Sequence, residues 1–128
     1  MQKYFFGRID GRYVKINYSE IIYIEGCKNY IKIITDTKSH LILVTMKRME
    51  EVLPIDLFRR IHKSFIVSIE KILEFDTDRV YLKNKELPIG QLYKNKLEKS
   101  IVIANEGDGR VVAIGISGND NGQYTAAI

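Results

Sequence analysis

Residues 21–35 read IIYIEGCKNYIKIIT and hold two apolar runs, Ile21–Ile24 and Tyr30–Thr35. Isoleucine and tyrosine are frequent in strands because branched and aromatic side chains fit a pleated surface. The link between the runs, Glu25-Gly26-Cys27-Lys28-Asn29, is predicted to be an exposed loop between two strands. This stretch therefore favours a β-rich fold.

A hairpin is predicted before these runs. Phe5–Ile9 and Arg12–Tyr18 flank Asp10-Gly11, and an Asp-Gly pair supplies the positive φ angles that a two-residue turn needs. Side chains alternate along a strand. The alternation predicts one side formed by Tyr13, Lys15 and Asn17 and another formed by Val14, Ile16 and Tyr18.

A strand and a short helix are predicted next. A turn at Asp36–Ser39 leads to His40–Thr45, an apolar run that is predicted to cross the interior. Thr45 can cap a helix, and Pro54 ends it. Three apolar residues of this helix recur at three- and four-residue spacing and predict a face that packs on the core; they are Met46, Met49 and Leu53.

The patterned region continues to residue 101. In total it predicts about nine strands and two helices without a strand-helix-strand rhythm, so the predicted class is mainly β. The further elements are a basic and apolar segment at Phe58–Val67, strands at Ile72–Phe75 and Arg79–Leu82 joined by Asp76-Thr77-Asp78, a turn at Asn84-Lys85, the stretch Leu87–Gly90 and a helix at Gln91–Ile101.

Length and charge limit the organisation of the chain. The 128 residues suit one ordinary domain. Residues 1–101 hold 19 Lys and Arg against 13 Asp and Glu, whereas residues 102–128 hold one against three. A basic surplus of this size suits a polyanionic partner but does not establish one.

The C-terminal residues differ from the rest. Five of the nine glycines lie between residues 105 and 123, and Val111–Ile116 is the one apolar run there. We predict a domain over residues 1–104 and a glycine-rich extension over residues 105–128. A loose hairpin, a flexible extension and an expression remnant all fit this composition, and no function is assigned to it.

Catalysis and cofactor binding find little support. Neither His40 nor His62 lies in a nucleophile motif, and one cysteine with two separated histidines does not make a zinc site. No Walker-type loop is present. The chain is therefore predicted to be no enzyme, with no cofactor and no metal. The absence of a signal peptide and of a 20-residue apolar stretch predicts a cytoplasmic protein.

Three polar clusters carry the positive signal. Lys and Arg can reach phosphates and guanine edges, Asn and Gln can pair with adenine, and Ser and Tyr hydroxyls can bind the phosphate backbone. Alone, each cluster is more typical of a solvated loop than of a binding site. They are Lys28-Asn29-Tyr30, Arg59-Arg60-Ile61-His62-Lys63-Ser64, and Gln91 with Tyr93 and Lys94.

Several of these residues also have a structural interpretation. Tyr30 could begin a strand and pack inward, and Tyr93 lies on the apolar face of the predicted helix. His62 could be a structural histidine with satisfied hydrogen bonds. Arg59 and Arg60 could serve the DNA backbone, or one of them could pair with an acid such as Glu25. Lys63 and Asn29 lie in no apolar stripe, so they are the strongest candidates for contact with a base or a phosphate.

Four stretches resemble the LytTR DNA-binding family of bacterial regulators. The resemblance covers about residues 4–101, and it is specific because separate motifs agree in order and spacing. The stretches are Ile22–Tyr30, IYIEGCKNY; Phe58–Val67, FRRIHKSFIV; Val80–Asn84, VYLKN; and Leu87–Gly90, LPIG.

The resemblance implies an elongated β fold of about three small antiparallel sheets with two short helices. It also implies sequence-specific binding of double-stranded DNA in transcription regulation, by loops that enter successive major grooves of direct repeats and bend the duplex. A homodimer on DNA is implied, together with a receiver domain or sensor partner outside these residues, as for the output domain of a response regulator in a two-component system.

The same resemblance assigns the site residue by residue. Gly90 and Gln91 depart from the family pattern, which often has Ser followed by Arg here, so the third cluster matches least well. The DNA-binding residues that it implies are Lys28, Asn29, Tyr30, His62, Lys63, Gln91, Tyr93 and Lys94. Arg60 and Ser64 are added to the predicted site because they can bind the phosphate backbone.

Two other functions stay open. A protein-interaction module could retain this fold and use its sheet edges or its C-terminal residues. Single-stranded RNA binding is less favoured, because Tyr and Phe mostly fall in apolar alternation and base stacking needs exposed rings.

Overall fold

The computed structural model describes residues 2–105, 111–114 and 123–125, and strands dominate it. Short 3-10 turns lie at Tyr18–Glu20, Ile69–Lys71 and Gln91–Tyr93. The strands are β1 Tyr4–Ile9, β2 Arg12–Asn17, β3 Ile21–Cys27, β4 Tyr30–Thr35, β5 Ser39–Ile42, β6 Phe58–His62, β7 Phe65–Ser68, β8 Glu74–Phe75, β9 Arg79–Leu82, β10 Lys85–Pro88, β11 Val102–Asn105, β12 Val111–Ile114 and β13 Gln123–Thr125; the helices are α1 Met46–Val52 and α2 Lys96–Ile101.

A five-stranded antiparallel sheet, in the order β5-β4-β3-β7-β6, forms the centre. The hairpin β1-β2 and the sheet β10-β9-β8 flank it, and both are antiparallel. These three sheets and the two helices confirm the predicted fold class. A fourth sheet, β11-β12-β13, follows α2. Residues 106–110 and 115–122, which hold the glycines of the extension, lie outside the described residues, and the domain division at residue 104 stays a prediction.

Two hydrophobic clusters hold the layers together. Tyr23 and Ile24 are neighbours on β3 and join different clusters, as the alternation of a strand requires. The first cluster joins the hairpin and α1 to the central sheet, and the second joins β8-β9-β10 and α2 to it. Each fully buried Ile stabilises the fold by about 1.5–3 kcal/mol, and the fully buried Ile residues are Ile21, Ile24, Ile31, Ile33, Ile61 and Ile66.

Two local signals are confirmed. Asp10 and Gly11 have φ values of 51° and 76°, which let the hairpin close in two residues. Thr45 Oγ1 accepts the backbone N–H of Arg48 at 3.1 Å, so Thr45 caps α1, which ends before Pro54. Met49 of this helix and Leu53, its C-cap residue, are buried in the core as predicted.

Three boundaries differ from the prediction. Strand β3 continues to Cys27, because Glu25 pairs with both β4 and β7 and Gly26 pairs with β4. The loop therefore shrinks to Lys28-Asn29. The run His40–Thr45 does not cross the interior: β5 is an edge strand, and Leu43 beyond it is 79% exposed. The helix predicted for Gln91–Ile101 is broken at Asn95, which has a φ of 73°.

Candidate nucleic-acid interface

The first predicted cluster forms the tight turn between β3 and β4. Lys28 and Asn29 are the two turn residues, both are exposed, and Lys28 adopts a positive φ of 53°. Tyr30 begins β4 opposite Cys27, as its structural interpretation expected, but its side chain is 36% exposed and does not pack inward. A two-residue turn keeps these polar side chains at the very end of the sheet.

The second cluster forms the turn between β6 and β7. Lys63 is exposed at its tip, and the backbone N–H of Ser64 donates to His62 Nδ1 at 3.0 Å. The ring of His62 lies 5.4 Å from that of Phe65. Because Nδ1 accepts, a neutral His62 carries its proton on Nε2 and keeps that nitrogen as a donor. His62 therefore has the structural role that its alternative interpretation predicted.

The two turns lie side by side at one end of the central sheet. Strands β3 and β7 are antiparallel neighbours, so the end of β3 lies beside the start of β7. The backbone N–H of Gly26 donates to Ser64 O at 2.8 Å and joins the bases of the turns. A Cβ on Gly26 would lie 2.5 Å from Met46 Cγ, so glycine lets α1 approach this end of the sheet.

Arg60 ties the second turn to two other elements. Its guanidinium donates to Lys63 O at 2.6 Å and to His62 O at 3.3 Å, and it pairs with Glu50 of α1 at 3.1 Å. Its side chain is only 17% exposed. The acid that Arg60 meets is thus Glu50 and not Glu25, which lies within β3 between β4 and β7.

Arg59 is directed away from this network. Its Nε donates to the backbone oxygen of Ile55 at 2.8 Å. Burial lowers the pKa of the Arg59 guanidinium, and the nearby carboxylate of Asp56 partly offsets that effect. Arg59 is therefore held by the segment between α1 and β6.

The third cluster lies against the outer edge of β6. The backbone N–H of Gly90 donates to Ile61 O at 2.8 Å. Gln91–Tyr93 follows as a 3-10 turn, in which the N–H of Tyr93 donates to Gly90 O at 2.9 Å. The guanidinium carbon of Arg60 lies 5.9 Å from the centre of the Tyr93 ring. Tyr93 also packs partly on the second core cluster, as its structural interpretation expected.

Lys94 is already paired. Its Nζ lies 2.6 Å from Asp78 Oδ1 in the turn between β8 and β9, and its side chain is only 26% exposed. This turn is fixed by Asp76, whose Oδ1 accepts the N–H groups of Asp78 and Arg79. These backbone hydrogen bonds lower the pKa of the Asp76 carboxyl, and the hydroxyl of Tyr81 strengthens the effect.

The structure thus brings the three clusters into one row, in the order first turn, second turn, third segment. Sequence reasoning missed Glu50 and Asp78, which lie ten and sixteen residues from their partners Arg60 and Lys94. No local spacing signal connects such pairs. For Gly26 the sequence did hold a signal, because a lone glycine in a run of strand-forming residues indicates a close approach of another segment.

Other kinds of site are not found in the described part of the chain. Within residues 2–105, 111–114 and 123–125, no three His, Cys, Asp or Glu side chains come close enough to share a metal ion. Across the same residues, no helix has the length and apolar character that spanning a membrane requires.

Comparison with known proteins agrees with this architecture. A family model described as the LytTr DNA-binding domain matches residues 11–101. A solved LytTr DNA-binding domain, from a Bacillus cereus protein described as a methyl-accepting/DNA response regulator, is 19% identical with a TM-score of 0.66 and covers 77% of this chain and 96% of that one. No curated protein matches the chain. Because the family match spans most of its length, the chain belongs to the LytTR family of DNA-binding domains.

Proposed function

We propose that this chain is a sequence-specific reader of duplex DNA in transcription regulation, acting as the output domain of a response regulator. The observation that carries the proposal is the row of three polar segments at one end of the central sheet. The family binds DNA and is not a catalytic family, and we propose no catalytic role for this chain.

The row provides two kinds of contact. Lys28 and Lys63 are exposed, and no ion pair within the described residues neutralises them, so their charges are available to phosphates or guanine edges. Asn29 can pair with an adenine edge, and Ser64 and Tyr30 can bind phosphate oxygens. His62 offers Nε2 as a further donor.

The width of the row bears on the shape of the bound DNA. From the β3-β4 turn to the segment beyond β6 there are three and a half strand spacings, or about 17 Å. Successive major grooves on one face of straight DNA are about 34 Å apart. Long side chains close part of this gap, so engagement of two successive grooves requires a duplex that bends towards the protein.

The proposal extends to assembly. Two copies bind side by side on a direct repeat, and the regulatory input comes from a receiver domain or a sensor partner. Repeats on one face of the duplex have centres separated by multiples of about 10–10.5 base pairs.

Selection of duplexes from a random pool tests this function. We expect one repeated motif with that spacing, and an affinity for it at least ~10³-fold above that for random duplex. Affinity should fall steeply with salt, because Lys and Arg release counterions. Equal binding to selected and random duplexes would exclude sequence-specific reading, and a selected site that stays straight in a circular-permutation gel assay would exclude the bend.

A further inference from the structure

The outer face of the β1-β2 hairpin carries a patch that the row of polar segments does not use. Cross-strand register places Phe6 beside Lys15 and Arg8 beside Tyr13 on this face. We call these four residues, with Tyr4 and Asn17, the hairpin face. It combines three aromatic rings, two cations and one amide, and none of the six residues is acidic. The amide of Asn17 donates to Glu20 Oε1 at 2.6 Å, so the one nearby carboxylate that these residues bind lies at the end of the face away from Arg8.

The rings of the hairpin face are unusually open. Phe6 is 57% exposed and Tyr13 is 68% exposed. Lys15 Nζ lies 4.3 Å from the centre of the Tyr4 ring, and the guanidinium carbon of Arg8 lies 5.5 Å from that of Tyr13. Each cation–π contact of this exposed kind is worth only about 0.5–1 kcal/mol, so a ligand can displace it.

The fold does not need these side chains for its core. The opposite side of the hairpin supplies the packing: Phe5 and Ile16 belong to the first hydrophobic cluster or pack against it. A Cβ on Gly7 would lie 2.5 Å from Ile42 Cδ1, which shows how closely this inner side meets β5. The outer side thus leaves large aromatic rings in solvent beside two cations, where a ligand can reach them.

We propose that the hairpin face binds single-stranded nucleic acid, with bases stacked on Phe6 and Tyr13 and with phosphates paired to Arg8 and Lys15. Aromatic platforms beside cations are the usual means of holding an unpaired strand. The bases of a duplex are already stacked, so a duplex cannot use the rings. Tyr and Phe mostly follow apolar alternation in this sequence, but Phe6 and Tyr13 face solvent, so base stacking is possible on this hairpin.

The size of the hairpin face decides between this ligand and a protein. Each strand of the hairpin has six residues and extends about 20 Å, and two strands are about 10 Å wide. The footprint of the hairpin face is therefore about 200 Å². A stable protein interface needs about 800 Å² on each partner. In contrast, small sheets that bind RNA stack only two or three bases on their aromatic side chains. A second copy is also disfavoured, because it would bring four cations together.

Fluorescence anisotropy with a labelled deoxythymidine decamer tests the proposal on the full chain. We expect the decamer to bind, and the double variant F6L/Y13L, which keeps apolar bulk but removes both rings, to bind it about 5- to 150-fold more weakly for each lost stack. The variant L73A, which shortens an exposed side chain just before β8, should bind the decamer as the parent chain does.

Three further measurements keep the outcome clear. A decamer of abasic sugar phosphates should bind much more weakly; equal binding would reduce the hairpin face to a cationic patch and overturn the proposal. Binding of poly-L-glutamate but not of the decamer, with loss in F6L/Y13L, would overturn it in favour of an acidic protein partner. F6L/Y13L should keep its affinity for the selected duplex, which verifies folding and separates this site from the row of polar segments.

Discussion

The β3-β4 turn and the segment Gly90–Lys94 have similar compositions but different surroundings. In the turn, Lys28 and Asn29 are exposed at the end of a two-residue connection. In the segment, Lys94 is bound to Asp78, and Tyr93 is partly buried beside Arg60. A basic residue near a binding surface is thus a contact only if the fold leaves its charge unneutralised.

Arg60 lies between these two extremes. It belongs to the same basic stretch as Lys63, yet its donors are already directed at two backbone oxygens and a carboxylate. A planar guanidinium can serve several acceptors at once, whereas an ammonium acts as a compact point charge. Arg60 therefore shapes the row, whereas Lys28 and Lys63 are the residues that we propose to touch DNA.

The largest effect is expected for R60A. Loss of hydrogen bonds to a charged group should lower the free energy of unfolding by about 1.5–3 kcal/mol, and the Lys63 turn should lose its position and its DNA affinity. Urea unfolding and duplex binding measure both quantities. R48A, which removes an exposed arginine of α1, is the control and should change stability by less than about 0.5 kcal/mol.

R60K decides how Arg60 acts. If it positions the turn, a lysine that keeps the charge should restore neither stability nor DNA affinity. Full recovery of DNA affinity in R60K without recovery of stability would instead assign Arg60 to direct phosphate contact.

K63A should weaken DNA binding by about 1–3 kcal/mol if Lys63 reads a base. Stability should stay within about 0.5 kcal/mol, because the side chain is exposed and unpaired in the described structure. K83A, at the exposed turn between β9 and β10, removes the same charge elsewhere and serves as the control in the duplex titration. Equal losses in the two variants would show a general charge effect and remove Lys63 from the site.

D78N should have a smaller effect and should strengthen DNA binding, whereas R60A and K63A weaken it. It releases Lys94, which can then contact a phosphate. The slope of DNA affinity against salt should therefore steepen by the amount expected for about one further phosphate contact. The exposed ion pair is worth only about 0.2–1 kcal/mol, so stability should change little. The stronger DNA binding and its steeper salt dependence should be absent in the double variant D78N/K94A. E74Q, on the same sheet, removes an exposed negative charge without releasing Lys94, and an equal gain there would contradict the idea.

The smallest effect concerns pH. Backbone hydrogen bonds from Asp78 and Arg79 hold the pKa of Asp76 below its ordinary value. Its stabilising contribution is therefore present above the unfolded pKa of about 3.9 and is lost as pH falls through the lower folded value. Thermal unfolding between pH 5 and 2 should show a flatter acid decline in D76N than in the parent chain. Parallel declines would mean that Asp76 does not contribute.

Much of the fold was determined locally. The Asp10-Gly11 turn, the Thr45 cap and the alternation of Ile and Tyr in β3 and β4 each depend on residues a few positions apart, and such signals survive without knowledge of the tertiary structure. Together with the ordered LytTR-like motifs, they were enough for the class of fold and for the three polar clusters.

Tertiary structure decided which polar side chains are available. The pairing of Arg60 with Glu50 and of Lys94 with Asp78 joins residues from different elements, and no spacing rule could predict either pair. It also placed the two turns at one end of the sheet and left Phe6 and Tyr13 uncovered on the hairpin. Alternation predicts that side chains on a strand face two ways, but the packing of layers decides which side meets solvent.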